Sequence, residues 1–250
     1  MPAALRRAAN GAVLAITFLT ILPMPIRDDR DHGGSAPAFH PLVGALVGAL
    51  AGAAYAAAAP GLGPAVAAIL AVTALVVVTG GLHQDGLADC ADGMGVRGDR
   101  ERRLRAMRDP AIGTFGTLAL GLWLLLITTA LAHLPTRDGV AALITAATTG
   151  RFAALLHARW TRPARSDGLG SAFLPSWISV AVGGLTAVVV AVVCDVAAGS
   201  VAILASLLVA GGVTAWSRRT LGGRTGDTLG ATVVLTEVSV VLISLGLATG

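Results

Sequence analysis

Long apolar runs broken by short polar segments set the pattern of this chain. Seven stretches reach or approach spanning length: 41–59, 65–82, 113–134, 139–157, 177–198, 200–216 and 228–249. A helix crossing a bilayer needs about 20 apolar residues, with a lower range near 17. The pattern therefore predicts an all-α, polytopic integral membrane helical bundle of about seven spanning helices. An earlier run, Gly11 to Leu22, follows Arg6 and Arg7 and ends in Pro23-Met24-Pro25 without a clean small-x-small cleavage site. It is short for a span and reads as an interfacial or re-entrant helix rather than a signal peptide. Gly44, Gly48 and Gly52 form overlapping small-xxx-small pairs, which reflect either close helix packing or simple Ala/Gly bias. No internal repeat is evident, and residues 1–250 read as one integral membrane domain.

Composition supports the membrane assignment. Of 250 residues, 55% are hydrophobic and 13% charged, against roughly 25% charged in a soluble domain. Cys90 and Cys194 lie in unlike contexts and indicate neither a disulfide framework nor a thiolate metal site. All 18 basic residues are arginine, and the formal charge is +4. With 4% aromatic residues there is little to build a stacking platform for nucleic acid, so no nucleic-acid partner is expected. Arginine placement sets the topology instead. With the loop 83–112 cytoplasmic, the loops 158–176 and 217–227 share its side, and 16 of the 18 arginines lie there. Arg137 falls on the other side and Arg151 inside a span, an asymmetry that matches the positive-inside rule. The expected location is the cytoplasmic (inner) membrane, multi-pass, with the active face cytoplasmic.

Candidate chemistry concentrates in those loops. Gly80 to Gly95 carries Asp85, Asp89 and Asp92, whose spacing on a helix keeps the three carboxylates within about 40° of one line. Uncompensated like charges so close together repel, and hard oxygen ligands suit magnesium. Arg108 and Asp109 follow in the same loop, Asp167 lies in ARSDGLG, and Gly222, Gly223, Arg224, Thr225, Gly226 and Asp227 form the third cluster. Glycine-rich turns beside acids and arginines suit a diphosphate: backbone N–H groups approach its oxygens, carboxylates hold a metal, and arginine neutralises charge. Neither a P-loop nor a dinucleotide-binding GxGxxG is present. Blander readings stand beside these. The arginines from Arg97 to Arg108 serve as topology signals, Asp109 before Pro110 as a helix cap, the glycines as a flexible link, and His83 as a structural hydrogen-bonding group. Arg151 and Glu237 lie inside spans, roughly 9 and 13 Å from the loop side. Intramembrane charges usually pair or line a cavity, so these two are expected to pair or to line the floor of the active cavity.

The segments GLHQDGLADCADG, MRDPAIGTFG, DGLG and GGRTGDTLGA, with FLTILPMP near the start and FHPLVGALVG before the first span, together resemble the cobalamin synthase family of adenosylcobinamide-GDP ribazoletransferases. The resemblance runs in matching order from about Phe18 to Glu237. It implies a magnesium-dependent membrane transferase that joins adenosylcobinamide-GDP to α-ribazole or its 5'-phosphate and releases GMP, attaching the lower nucleotide loop of the B12 coenzyme. On that basis Asp85 and Asp89 are expected to hold Mg2+, with Asp92 a second ligand or the base, and Asp227 closing the metal site. Arg108 and Arg224 would bind phosphate, Gly222, Gly223 and Gly226 would admit it, and His83, Asp109, Asp167, Thr225, Arg151 and Glu237 would complete the substrate side. Gln84 stands where the family often has a Leu-type residue, and Cys90 where it often has Thr. Oligomeric state is left open, a homo-oligomer included.

Two rival classes fit less well. A CDP-alcohol phosphotransferase of lipid synthesis wants D-x2-D-G-x2-A-R followed by G-x3-D-x3-D. Here Cys90 follows Asp89, no Arg follows Ala91, and the later motif is missing. A small transporter would place its functional residues near the midplane on broken helices, whereas most candidates here sit in loops on one side.

Overall fold

A computed structural model describes residues 3–25, 35–166, 171 and 173–249. The polar-apolar pattern resolves into nine helices among these residues: α1 (Ala3–Leu19), α2 (His40–Thr79), α3 (Leu82–Gly95), α4 (Arg100–Ala106), α5 (Thr114–His133), α6 (Thr136–Trp160), α7 (Trp177–Cys194), α8 (Val196–Leu221) and α9 (Gly226–Thr249). No strand forms among them, only an isolated bridge between Pro163 and Arg224. Six of the helices are long and apolar enough to cross a membrane.

The first of the six contains two expected spans. Straight, its 40 residues would reach about 60 Å. Yet its first residue, His40, stacks on Phe18 of α1, and its penultimate residue, Val78, accepts a hydrogen bond from Ile21 just beyond α1. The chain therefore doubles back, and it does so at Gly63, whose φ of 77° lies between Pro60 and Pro64. Proline removes a helical N–H and glycine tolerates the left-handed region, so this sequence can reverse where the flanking alanine-rich turns cannot.

α1 begins eight residues before the predicted apolar run and ends at Leu19 instead of Leu22, so Arg6 and Arg7 lie within the helix on its exposed part. Ala15 and Leu19 are buried against the rest of the protein, and α1 is not one of the six span candidates. α8 extends beyond the predicted 200–216 at both ends, started by Asp195, whose carboxylate accepts the Ala198 N–H.

α6 is the axis of the bundle. Its apolar window is 83% buried, against 22–44% in the other five. The first half of α2 lies directly on it, because a Cβ on Gly44 would collide with the Ala147 carbonyl, and one on Gly48 would sit 2.6 Å from the Leu143 carbonyl. The small-xxx-small glycines are thus a contact surface and not compositional bias. At the far end of the bundle the Tyr55 hydroxyl donates to the Leu131 carbonyl at 2.6 Å and ties α2 to the end of α5.

Candidate active site

The three-aspartate stretch is a helix, and two successive glycines set where it starts. Gly80 and Gly81 take φ of 62° and 70°, ending α2 with their N–H groups on Val76 and Val77 carbonyls and turning the chain into α3. α3 then lies backbone to backbone on α9. A Cβ on Gly86 would stand 2.7 Å from the Asp227 carbonyl, and one on Gly230 would stand 3.2 Å from the His83 carbonyl. This glycine contact brings Asp227, from the other end of the sequence, to Asp85 and Asp89. Gly86→Ala is expected to force α3 from α9 and cut turnover by at least tenfold, with a stability loss of about 1–3 kcal/mol. Gly211→Ala, at a helix-interior position open within 4 Å, should leave turnover unchanged and not lower the thermal midpoint.

Asp89 records the result electrostatically. Partial burial, then the charges of Asp227, Asp85 and Asp92, push its pKa up to about 7, only partly opposed by Arg165. Arg165 reaches Asp227 at 3.3 Å. Asp92 behaves differently from the other acids. Its two oxygens accept the Gly113 and Gly116 N–H groups at 2.8 and 2.9 Å, so it caps α5. The glycines of the GTFG segment are explained by the same contact, since a Cβ at either would strike that carboxylate. Asp109 accepts the Ala111 N–H at 3.0 Å, closing a local turn, and does not cap α5.

The third cluster is largely architectural. Gly223 and Arg224 pair with residues 162–164, through Arg224 N–H to the Arg162 carbonyl and Ala164 N–H to the Arg224 carbonyl. A Cβ on Gly223 would collide with the Arg162 carbonyl, and one on Gly222 would meet Arg100. At these two glycines the missing side chain makes room for the docking of one loop on another. The Arg224 side chain is 1% exposed and donates to the Thr161 and Phe173 carbonyls, the latter at 2.6 Å, rather than projecting as a phosphate clamp. Burial lowers its pKa. Thr225 and Thr228 cap α9 reciprocally, and His157 spans the Thr214 and Thr228 hydroxyls at 2.7 and 3.0 Å.

Two cavities flank Asp85. The inner one, of about 260 Å³, is lined by His83, Asp85, Arg151, Arg165, Arg224, Thr225, Gly226 and Asp227 together with Phe18, His40 and Phe173. The outer one is a groove of about 820 Å³ that holds Asp89, Arg108 and Asp109. Phe18, Leu82 and Asp85 border both. His83 is buried, and burial followed by the charges of Arg151 and His40 keeps its ring neutral, with Nδ1 unpartnered among the described residues. Arg151 forms a buried ion pair with Glu237 and donates to the Ala147 carbonyl at 3.1 Å, while its Nε and second terminal nitrogen have no partner there. Glu237 stands behind Arg151 and does not line the cavity. Asp167 lies outside the described residues. Arg165, His40, Phe18 and Phe173 are site residues that the sequence reading did not single out, although FLTILPMP, FHPLVGALVG and ARSDGLG contain three of them. Gln84 is buried with neither amide atom partnered among the described residues.

Among the described residues no three His, Cys, Asp or Glu side chains already form a metal-holding group. Magnesium does not require one, because it is commonly bound by one or two carboxylates together with substrate phosphates and waters. Asp85, Asp89 and Asp227 bring together hard oxygen donors with Arg165 as the cation paired to Asp227, a donor set whose chemistry suits a hard cation.

Fold and site together define a polytopic helical membrane protein with carboxylate-lined cavities at one end of its bundle. The Cobalamin-5-phosphate synthase family matches residues 11–245. Several proteins named adenosylcobinamide-GDP ribazoletransferase are similar along nearly their whole lengths. That of Shewanella amazonensis is 37% identical, over 93% of this chain and 94% of its own, and that of Sinorhizobium medicae 40%, over 90% and 92%. That of Pseudomonas fluorescens is 39% identical, over 92% and 96%. The chain belongs to the Cobalamin-5-phosphate synthase family. No solved structure matches it significantly.

Proposed function

We propose that this protein transfers the adenosylcobinamide phosphate moiety of adenosylcobinamide-GDP to α-ribazole or its 5'-phosphate, releasing GMP in a final step of cobalamin synthesis. The observation that carries the reading is the convergence of Asp85 and Asp89 with Asp227 across the Gly86–Gly230 contact, in a chain similar throughout to the ribazoletransferases. In the transfer, a ribose hydroxyl oxygen forms a bond to the phosphorus next to cobinamide. The bond from that phosphorus to the GMP oxygen breaks, and the hydroxyl proton passes to a carboxylate. Such a displacement depends on alignment and on neutralising the phosphoryl oxygens.

Asp85, on the border of the two cavities, and Asp227, steered by Arg165, would hold Mg2+, which when bound neutralises phosphoryl charge. Asp89, one helical turn from Asp85 on α3 and bordering the outer groove, is the group placed to accept the hydroxyl proton. Asp92 acts at one remove by fixing α5 against α3, and Arg224 by fixing the loop that carries Phe173. The reading places the arginine-rich end of the bundle at the cytoplasmic face of the cytoplasmic membrane, where soluble nucleosides reach it.

Detergent-purified protein incubated with adenosylcobinamide-GDP, α-ribazole 5'-phosphate and Mg2+ should release GMP, and EDTA should stop it. No GMP under these conditions overturns the reading. Release of CMP from CDP-diacylglycerol and an alcohol would replace it with lipid synthesis.

A further inference from the structure

Three rings make one wall of the inner cavity. His40 stacks on Phe173 at 4.9 Å and on Phe18 at 5.8 Å, and the Phe18 and Phe173 planes differ by 6° at a centroid separation of 6.4 Å. The wall is built from three distant parts of the chain, and buried Arg224 fixes one of them by donating to the Phe173 carbonyl. Offset rings at these separations attract one another, and all three also border the inner cavity, so that one side of it is aromatic.

We propose that the inner cavity takes the nucleoside acceptor, with its planar base stacked on the Phe18–His40–Phe173 wall, and that the outer groove takes the larger diphosphate donor. This inference rests on the transfer reaction proposed above. Size separates the two cavities. About 260 Å³ suits a riboside and excludes a corrinoid, whereas the groove of about 820 Å³ is open and borders Asp89 and Arg108. Their common border includes Asp85, so an acceptor hydroxyl and a donor phosphorus approaching from the two sides meet at that carboxylate. Arg151 and His83 line the inner cavity and carry buried nitrogens without a partner among the described residues, polar groups that suit the oxygen-rich ribose half.

The test is a pair of ring variants, Phe173→Leu and Phe18→Leu, with Phe173→Tyr as the conservative control. Loss of a stacking face is expected to raise KM for α-ribazole 5'-phosphate about tenfold in both variants and, in Phe173→Leu, whose ring borders the inner cavity and not the groove, to leave KM for adenosylcobinamide-GDP within about twofold; Phe173→Tyr should keep both values near wild type. Binding of α-ribazole alone, followed by quenching of its benzimidazole fluorescence, should weaken in parallel without any turnover. A rise in KM for the donor with unchanged riboside binding would mean that the guanine base occupies the wall, and overturns the proposal. So would two folded Leu variants with wild-type values for both substrates. Phe18 is 41% exposed, so its variant serves where Phe173→Leu fails to fold. Ring-dependent riboside binding by a wild-type protein that releases no GMP would sink the reaction while leaving the stacking wall standing.

Discussion

Asp85→Asn and Asp89→Asn should each lower GMP release by about 10²- to 10³-fold, the usual cost of deleting one electrostatic contributor to a transition state. Neither should unfold the protein. For Asp89 the expected stability change has the opposite sign to the loss of activity. Its folded pKa, about 7, exceeds the ordinary value of 3.8. A carboxyl shifted in that direction favours the protonated folded state. The stability it lends is complete below pH about 4 and is lost as pH rises through 7. In EDTA the wild-type thermal midpoint should therefore fall between pH 4 and 8, and Asp89→Asn should flatten that fall and melt no lower than wild type at pH 8. Partial solvent access at Asp89 keeps the effect modest. Near-wild-type turnover in both Asn variants would remove these two acids from the reaction. An Asp89→Asn protein that melted well below wild type at pH 8 would show the carboxylate to be a structural partner instead. Opposite movement of activity and stability is the signature expected where like charges are held together for chemistry.

Much of the bundle was legible because lipid simplifies the code: apolar length sets the spans, and arginine sets the loops. The reversal inside α2 was legible at Pro60 to Pro64 for the same reason, since few residues can break a helix between two apolar runs. The helical spacing of Asp85 and Asp89 was equally readable. What they face was not, because the contact that delivers Asp227 is made by glycines. Gly86 and Gly230 act by the absence of a side chain, so their role appears only when the partner backbone is in place. Asp92 shares the spacing of its two neighbours and was grouped with them. Its carboxylate turns to the Gly113 and Gly116 amides, a choice fixed by how α5 enters and not by helical phase. Arg224 misled in a related way. Beside glycines it reads as a phosphate clamp, yet its two terminal nitrogens donate to the Thr161 and Phe173 carbonyls, loop groups with no sequence signal, and only Nε is without a partner among the described residues. The Phe18–His40–Phe173 wall joins residues from α1, the start of α2 and the segment before α7, which no local pattern connects.

Glu237→Leu should be the most destabilising of the substitutions considered, and its partner substitution should reverse that without restoring activity. Glu237 and Arg151 are each 1% exposed and pair in the middle of the bundle. Removing the carboxylate leaves a guanidinium buried opposite leucine, which costs about 3–5 kcal/mol. Replacing both, as Arg151→Met with Glu237→Leu, removes the uncompensated charge and substitutes apolar groups of similar length, a change that is often neutral or stabilising. Thermal denaturation in detergent should show the single variant far below wild type and the double variant close to it. Turnover separates scaffold from site. Arg151 lines the inner cavity with nitrogens that have no partner among the described residues, whereas Glu237 lies behind it. The double variant should therefore fold and still lose at least tenfold in GMP release, with the loss appearing in KM for the riboside. A double variant that recovered both stability and full turnover would reduce the pair to a packing device. A Glu237→Leu protein as stable as wild type would mean that the ion pair contributes nothing to holding α6 against α9.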